Sequence, residues 1–334
     1  IKAVEPKTYC SPGNFNNLFG IPLSLFAVSK DASVVVLEMG ISTEVEMPKL
    51  AEIVHPDLIV ITNVGPSHLE FLGTVEAVAQ AKLELVRQAS SDVPVIINAD
   101  DALLVRETKK VRNDFITFAL DSDADFTAAE MNAGEQGETL VTIGDNTFSL
   151  PLAGRHQVYN LLAAYAVFRI LGYSLEGVDT PGLSLDTAPM RGQRIVLSGI
   201  TVIADCYNSN PDSVKAGLKA FFDAESKGRR IVVLGDMLEL GSDSEMYNRQ
   251  LGRQLSAESF DRVFLVGDMA KHIADVDVKC GCRSELFEYY ENADDAAEDI
   301  KDLLVEGDFV YIKGSRGVGL EAVLNALEDM EEQG

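Results

Sequence analysis

The sequence predicts two α/β domains in tandem, each a mostly parallel sheet flanked by helices. Three observations carry that expectation. Short apolar runs rich in Val and Ile alternate with helical stretches, the rhythm of βαβ units. The rhythm occurs twice, on either side of a Gly-, Pro-, Asp- and Thr-containing stretch from Ser174 to Arg191 that reads as a linker. Strand after strand also ends in a carboxylate, an amide or a cation. The expected division is 1–188 and 189–334.

In the first half, Val34-Val35-Val36-Leu37 reads as a buried strand, followed by Leu58-Ile59-Val60-Ile61 and Val95-Ile96-Ile97. Helical patterns separate them, from Thr43 to Val54 and from Thr74 to Gln88. Residues Phe126 to Leu152 break the rhythm with alternating runs, Thr139 to Thr142 and Thr147 to Leu150, read as antiparallel strands on the edge of the domain. A helix from Asn160 to Leu171 follows, stopped by Gly172. The second series has strands at Thr201–Ala204, Arg230–Leu234, Arg262–Val266 and Phe309–Ile312. Its helices lie near Ser213–Ala224, Ser244–Leu255, Ala293–Leu304 and Leu320–Glu328, with a frayed acidic tail after them. There are no internal repeats.

Composition excludes several classes. Acidic residues number 53 against 28 basic, a formal charge of −25, the opposite of what phosphate neutralisation by a nucleic-acid binder needs. A nucleotide substrate remains compatible, because a metal and a few local cations reverse the field at a site. No apolar run reaches the ~18 residues of a membrane span, and no signal-peptide pattern opens the sequence. The four cysteines, Cys10, Cys206, Cys280 and Cys282, match no zinc or redox spacing. Reduced thiols and a cytoplasmic location are expected. The opening at Ile1, with no helix-start signal, suggests a fragment.

In open α/β sheets ligands bind beyond the carboxyl ends of the strands. The first three strands lead to Glu38, to Asn63 and the Gly65-Pro66-Ser67-His68 loop, and to Asn98-Ala99-Asp100-Asp101. In the second half the ends are Asp205, Gly235-Asp236, Gly267-Asp268 and Lys313-Gly314-Ser315-Arg316. Turn and helix-cap roles explain any one of these singly; their repetition points to two functional edges that face one cleft. Glu38 and His68 together suit a magnesium ion, which takes few protein ligands and completes its shell with water and phosphate oxygens.

Several stretches resemble the Mur ligase family: Pro12-Gly13-Asn14-Phe15-Asn16-Asn17, Glu38-Met39-Gly40, Asn63 to Thr74 with Ala81-Lys82, and Gly154 to Asn160. In the second half Asp205 to Ser213, Leu234 to Gly241 and Lys313-Gly314-Ser315-Arg316 extend the resemblance over essentially the whole chain. It implies a central ATPase-type sheet domain followed by a Rossmann-like C-terminal domain. The implied chemistry is ATP-dependent amide-bond formation through an acyl phosphate, with UDP-N-acetylmuramoyl-tripeptide and D-alanyl-D-alanine as substrates and a monomer as the working form. Glu38 and His68 match magnesium ligands, and Lys82 matches a lysine carbamylated in this family; these three are the catalytic and metal candidates. Asn14, Asn98, Asn160, Arg191 and Asp205 match nucleotide contacts. Asn16, Asn17, Tyr207, Asn208, Asn210, Lys313 and Ser315 match positions near the peptide substrates.

The sequence also departs from the family. No Gly-rich loop ending in Gly-Lys-Thr or Gly-Lys-Ser occurs in it, nor does the domain that binds the uridine nucleotide. The isolated chain is therefore expected to show little ligase activity and to leave apolar sheet surface uncovered. Ala204 and Asn248 stand where the family often has Asp and His. Two other readings stay open, a Mur-type ligase for a different amino acid and a non-catalytic binding protein.

Overall fold

A computed structural model describes residues 1–133, 138–150, 154–183, 189–275 and 284–333. It is a mixed α/β structure whose contacts divide it into two compact units, one centred on the first half and one on the second. The Cys280-Gly281-Cys282 stretch and residues 184–188 of the expected linker lie outside the described residues.

In the first unit, β1 (Thr8–Cys10) pairs in parallel with β2 (Val34–Val36), with α1 (Gly20–Ala27) between them in sequence. A second sheet, all parallel, runs in the order β3 (Ile59–Ile61), β4 (Val95–Asn98), β5 (Ile116–Ala119), β6 (Phe126–Thr127). Every residue of β4 is buried, as expected for an inner strand covered on both faces. The helices α2 (Glu46–Val54), α4 (Val75–Gln88) and α5 (Ala102–Val111) pack on one another, and a four-residue α3 (Leu69–Leu72) precedes α4. Thr74 Oγ1 accepts from Ala77 N at 3.1 Å and Asp101 Oδ1 from Leu104 N at 2.9 Å, so α4 and α5 each start on a side-chain cap.

Some expectations fail. Val34–Val36 is not buried: Val35 and Val36 are 40% and 42% exposed, because β1 is the only strand paired to β2 among the described residues. On α1, Phe19 and Phe26 beside and within the helix are 81% and 87% exposed. The irregular region begins with a parallel strand, not an antiparallel one. β6 lies in register with β5, and Asp125 folds the connection back by accepting from Thr117 N and Thr117 Oγ1, both at 2.8 Å. The antiparallel strands β7 (Glu130–Ala133), β8 (Thr139–Ile143) and β9 (Asn146–Leu150) form their own sheet instead of extending the parallel edge.

The following helix, α6 (Arg155–Ile170), starts earlier than its pattern suggests. Its end is as expected: Gly172 takes φ +80°, its N–H reaches Arg169 O, and Tyr173 N reaches Phe168 O. The Phe168 and Tyr173 rings meet at 5.6 Å, completing a Schellman stop.

The second unit is one six-stranded sheet in the order β10 (Gln193–Leu197), β11 (Ile200–Asp205), β15 (Phe309–Lys313), β12 (Arg230–Gly235), β13 (Arg262–Val266), β14 (Phe287–Tyr290). All pairs are parallel except β10 with β11. That hairpin turns on Ser198-Gly199, both at positive φ, the two-residue turn whose twist suits paired strands. Helices α7 (Pro211–Asp223), α8 (Ser244–Leu255), α9 (Ala293–Leu303) and α10 (Glu321–Gln333) complete the unit. The acidic tail is helical through Gln333 rather than frayed.

Val202, Val233, Phe264, Val310 and Ile312 share one core with Ala296, Ile300, Val323 and Leu327 of α9 and α10. Elsewhere in the sheet, Phe221 of α7 stacks on Phe309 and Tyr311, at 4.6 and 5.6 Å. Burial pushes the Cys206 thiol up to about 11, with nearby Glu321 adding to the shift, so it is an inert core thiol. Among the described residues no helix is long and apolar enough to cross a membrane.

Candidate functional site

The first unit gathers polar groups past the carboxyl ends of its strands. Glu38 follows β2, and its carboxylate accepts from Asn16 Nδ2 at 3.0 Å. Gly40 N donates to Asn16 O at 2.8 Å, and a Cβ on Gly40 would come within 3.0 Å of the Asn16 amide. The Glu38–Gly40 turn therefore grips Asn16 on both backbone and side chain. Asn17 Oδ1 accepts from Phe19 N and Gly20 N at 3.0 and 2.9 Å, which makes it the cap of α1. Asn14 is exposed in the same loop.

His68 has a left-handed backbone, φ 56°, and its carbonyl starts α3 by accepting from Phe71 N and Leu72 N. It lies near the start of α2: burial works to raise Glu46, but the Ser42 and Thr43 donors and the His68 charge together hold its carboxyl below the usual range. Thus α2, which follows the Glu38 turn, brings its first residue toward the histidine loop.

Lys82, on α4, donates to Asn63 O at 2.8 Å. Burial pushes its ammonium below the ordinary lysine range, only in part offset by the Asp101 charge. Asp101 uses its second oxygen to accept from Val64 N at 2.6 Å. One carboxylate thus caps α5, fixes the loop after β3 and faces the lysine.

Asn98, at the end of β4, is buried and accepts from Asp100 N at 3.0 Å. Asp100 accepts from Tyr159 Oη at 2.7 Å, and from the backbone N–H groups of Leu120, Asp121 and Ser122 at 2.7 to 3.0 Å. Burial opposes its ionisation, yet these four donors hold it far below the usual carboxylate range. The bond to Tyr159 ties the end of β4 to α6, one residue from Asn160, whose amide donates to Gln157 Oε1 at 3.4 Å.

The second unit has its own cluster at the carboxyl edge. Asp205 Oδ2 accepts from Lys313 Nζ at 2.8 Å and from Tyr311 Oη at 2.9 Å. Lys313 also donates to Asn208 O at 3.0 Å. Burial, then the Asp205 charge, pushes the Tyr311 phenol well up. Gly217 of α7 makes room for it, since a Cβ there would sit 1.8 Å from Tyr311 Oη. Ser315 Oγ accepts from Leu238 N at 2.9 Å and donates to Ser209 O at 3.4 Å. Asn210 caps α7 in a reciprocal pair with Ser213, and Asn208 Oδ1 accepts from Ser209 N. The Arg191 guanidinium lies 4.1 Å from the centroid of the Tyr207 ring.

The expected residues therefore sort by what they can still do. Glu38 follows β2, His68 lies in the loop after β3, and Lys82 is on α4. Lys313 is only 2% exposed and spent on Asp205 and Asn208; Ser315 is buried between two loops. Both hold the loops of their edge in place instead of presenting free groups. Asn17 and Asn210 serve as helix caps. Asp100, Asp101 and Arg316 stood among the polar strand ends, and Tyr159 within a resembling motif, but none had an assigned role; Tyr311 was not expected at the site. Asp101 also had a local signal as a cap before a helical pattern, whereas the bonds of Asp100, Tyr159 and Tyr311 join distant parts of the sequence.

The sequence matches two family models, the Mur ligase middle domain over residues 3–168 and the Mur ligase glutamate ligase domain over residues 190–316. It is 34% identical over 333 residues to a UDP-N-acetylmuramoyl-tripeptide–D-alanyl-D-alanine ligase of Bacillus subtilis, spanning 98% of this chain and 71% of that one. The chain belongs to the Mur ligase family. A second relative of the same description, from Escherichia coli, is 30% identical, over 96% of this Mur ligase and 71% of its own length. Among solved structures, the MurF ligase of Thermotoga maritima in complex with ADP superposes with a TM-score of 0.85 at 26% identity. That likeness covers 99% of this chain and 76% of the other. Both parts of this Mur ligase, the interrupted parallel sheet and the six-stranded sheet, thus have counterparts in one solved enzyme.

Proposed function

We propose that this Mur ligase joins D-alanyl-D-alanine to UDP-N-acetylmuramoyl-tripeptide at the expense of ATP, in the cytoplasmic assembly of peptidoglycan precursors. One observation carries the reading: likeness to ligases of that description spans 98% of the chain and so takes in both strand-end clusters. The chemistry is activation of a peptide carboxylate by the γ-phosphate, attack by the dipeptide amine on the acyl phosphate, and release of phosphate. Such a reaction needs positioning and charge neutralisation more than a covalent nucleophile.

The first unit supplies the means to handle phosphate charge. Among its described residues no group of three His, Cys, Asp or Glu side chains would hold a metal, and a magnesium ion asks for few such ligands. Glu38 and His68 fit as donors, and Lys82 fits as a third once carbamylated. Its lowered pKa favours the neutral amine that adds carbon dioxide. A magnesium ion held by these residues would supply charge neutralisation to the phosphate oxygens. Asn16 orients Glu38, and Asp101 with the Asn63 carbonyl holds the Lys82 loop. Asn98 and Asn160 recognise the nucleoside, with Asp100 and Tyr159 fixing the distance between their backbones. In the second unit, Asp205 and Arg191 reach the nucleotide and the Tyr207–Asn210 loop receives the dipeptide.

The deciding experiment is phosphate release by the complete gene product that carries this sequence. Release is expected only with ATP, the muramoyl tripeptide and D-alanyl-D-alanine together. Release that is supported equally by D-glutamate or a single basic amino acid would assign the enzyme to another branch of the family.

A further inference from the structure

Two arginines converge on one tyrosine at the carboxyl edge of the second unit. The Arg316 guanidinium lies 5.3 Å from the Tyr207 ring centroid, on the same ring that carries Arg191 at 4.1 Å. Both arginines are exposed, and neither has a carboxylate partner among the described residues. In a chain with a formal charge of −25, two guanidiniums against one ring form a local concentration of positive charge, the kind of field that attracts an anion.

We propose that Arg316 receives the terminal carboxylate of the acceptor dipeptide, with Tyr207 holding its guanidinium in place beside Arg191. This rests on the ligase reading above and names the group that recognises its acceptor. D-alanyl-D-alanine has only methyl side chains. Its ammonium must lose its charge to attack, so the carboxylate is the one ionic handle present from binding to product. A guanidinium matches a carboxylate with two parallel donors. Lys313, the other cation of this loop, is buried and bound to Asp205. Arg316 belongs to the loop after β15, which is clamped to the Asn208–Asn210 loop through Lys313 to Asn208 O and Ser315 to Ser209 O. The carboxylate contact and the acceptor loop therefore move as one body. Arg191 enters from the start of β10 and remains for the nucleotide phosphates.

The test is steady-state phosphate release by the complete gene product, comparing D-alanyl-D-alanine with its C-terminal carboxamide. Wild-type enzyme should discriminate against the carboxamide by about 10- to 100-fold in kcat/KM, the worth of a charge-assisted bond to an ionised group. Arg316→Ala should raise KM for the dipeptide by a similar factor, leave KM for ATP within about twofold, and abolish the discrimination; Arg316→Lys should restore part of it. Thermal melting of both variants separates a folding defect from loss of the contact. The proposal is overturned if Arg316→Ala still prefers the carboxylate by the wild-type factor, or if KM for ATP rises in place of that for the dipeptide. Wild-type enzyme that ignores the dipeptide altogether refutes the ligase reading, and with it this assignment.

Discussion

Replacing Gly217 by alanine sets helix propensity against packing, and the structure decides which wins. An alanine in a helix interior is favoured over glycine by about 1 kcal/mol. Here the added Cβ would lie 1.8 Å from Tyr311 Oη and 2.7 Å from Tyr311 Cζ. The phenol cannot swing away, because Tyr311 is fully buried, stacked on Phe221 and bonded to Asp205. Relief of well over 1 Å needs movement of β15 or α7, and overpacking of this kind costs about 1–3 kcal/mol. Loss of the Tyr311–Asp205 hydrogen bond adds about 1 kcal/mol. The net expectation is destabilisation by about 1–3 kcal/mol, a fall in the melting temperature of the second unit of about 2–12 °C. Tyr311→Phe removes the nearer contact but not the ring carbon. The double variant should therefore be less destabilised than the sum of the singles, which a double-mutant cycle measures. A Gly217→Ala protein that melts at or above the wild-type temperature would show that the hydroxyl does not occupy that space.

Other expectations follow from the same geometry. Asp100→Asn should lower stability by about 2 kcal/mol at neutral pH, because an amide faces donors that hold a carboxylate. The folded pKa of Asp100 is depressed, so its contribution is full above the unfolded value near 4 and is lost only in strong acid; the gap between variant and wild type in urea melts should close there. Arg229→Ala leaves Asp308, which is 2% exposed, without the guanidinium that meets both its oxygens. A loss of about 2–3 kcal/mol is expected, at or below the bottom of the range for a broken buried pair, since Arg229 itself is 39% exposed. Unchanged denaturant midpoints would refute that. Incubation with carbon-13 bicarbonate should give a carbamate carbon signal that Lys82→Gln lacks; equal spectra would remove the carbamate from the site.

Much of the architecture was legible because its signals are local. Val95–Ile97 is a continuous apolar run, and Gly172 stops a helix through contacts within six residues. The β10–β11 hairpin was missed although Ser198-Gly199 between two Val- and Ile-rich runs is a turn signal. The α1 helix escaped because its cap, Asn17, precedes it and its apolar residues have no single face. At the sites, sequence named polar residues at strand ends but not the bonds they make to one another. The resemblance implies a substrate role for Lys313; in the structure it ends the central strand β15 and is bonded to Asp205 and to Asn208 O. The bonds from Tyr159 to Asp100 and from Tyr311 to Asp205 join residues far apart in the chain. No local pattern encodes such pairs.

The bare flank of α1 and β2 has a consequence for handling the polypeptide. Phe19, Leu23 and Phe26 are exposed apolar side chains, and β2 is paired only to β1 among the described residues. The large negative charge keeps such molecules apart in dilute buffer. Salt shortens the reach of that repulsion to about 10 Å at 0.1 M. Colloidal stability of this chain alone is therefore governed by ionic strength, and clear solutions are to be sought at low salt.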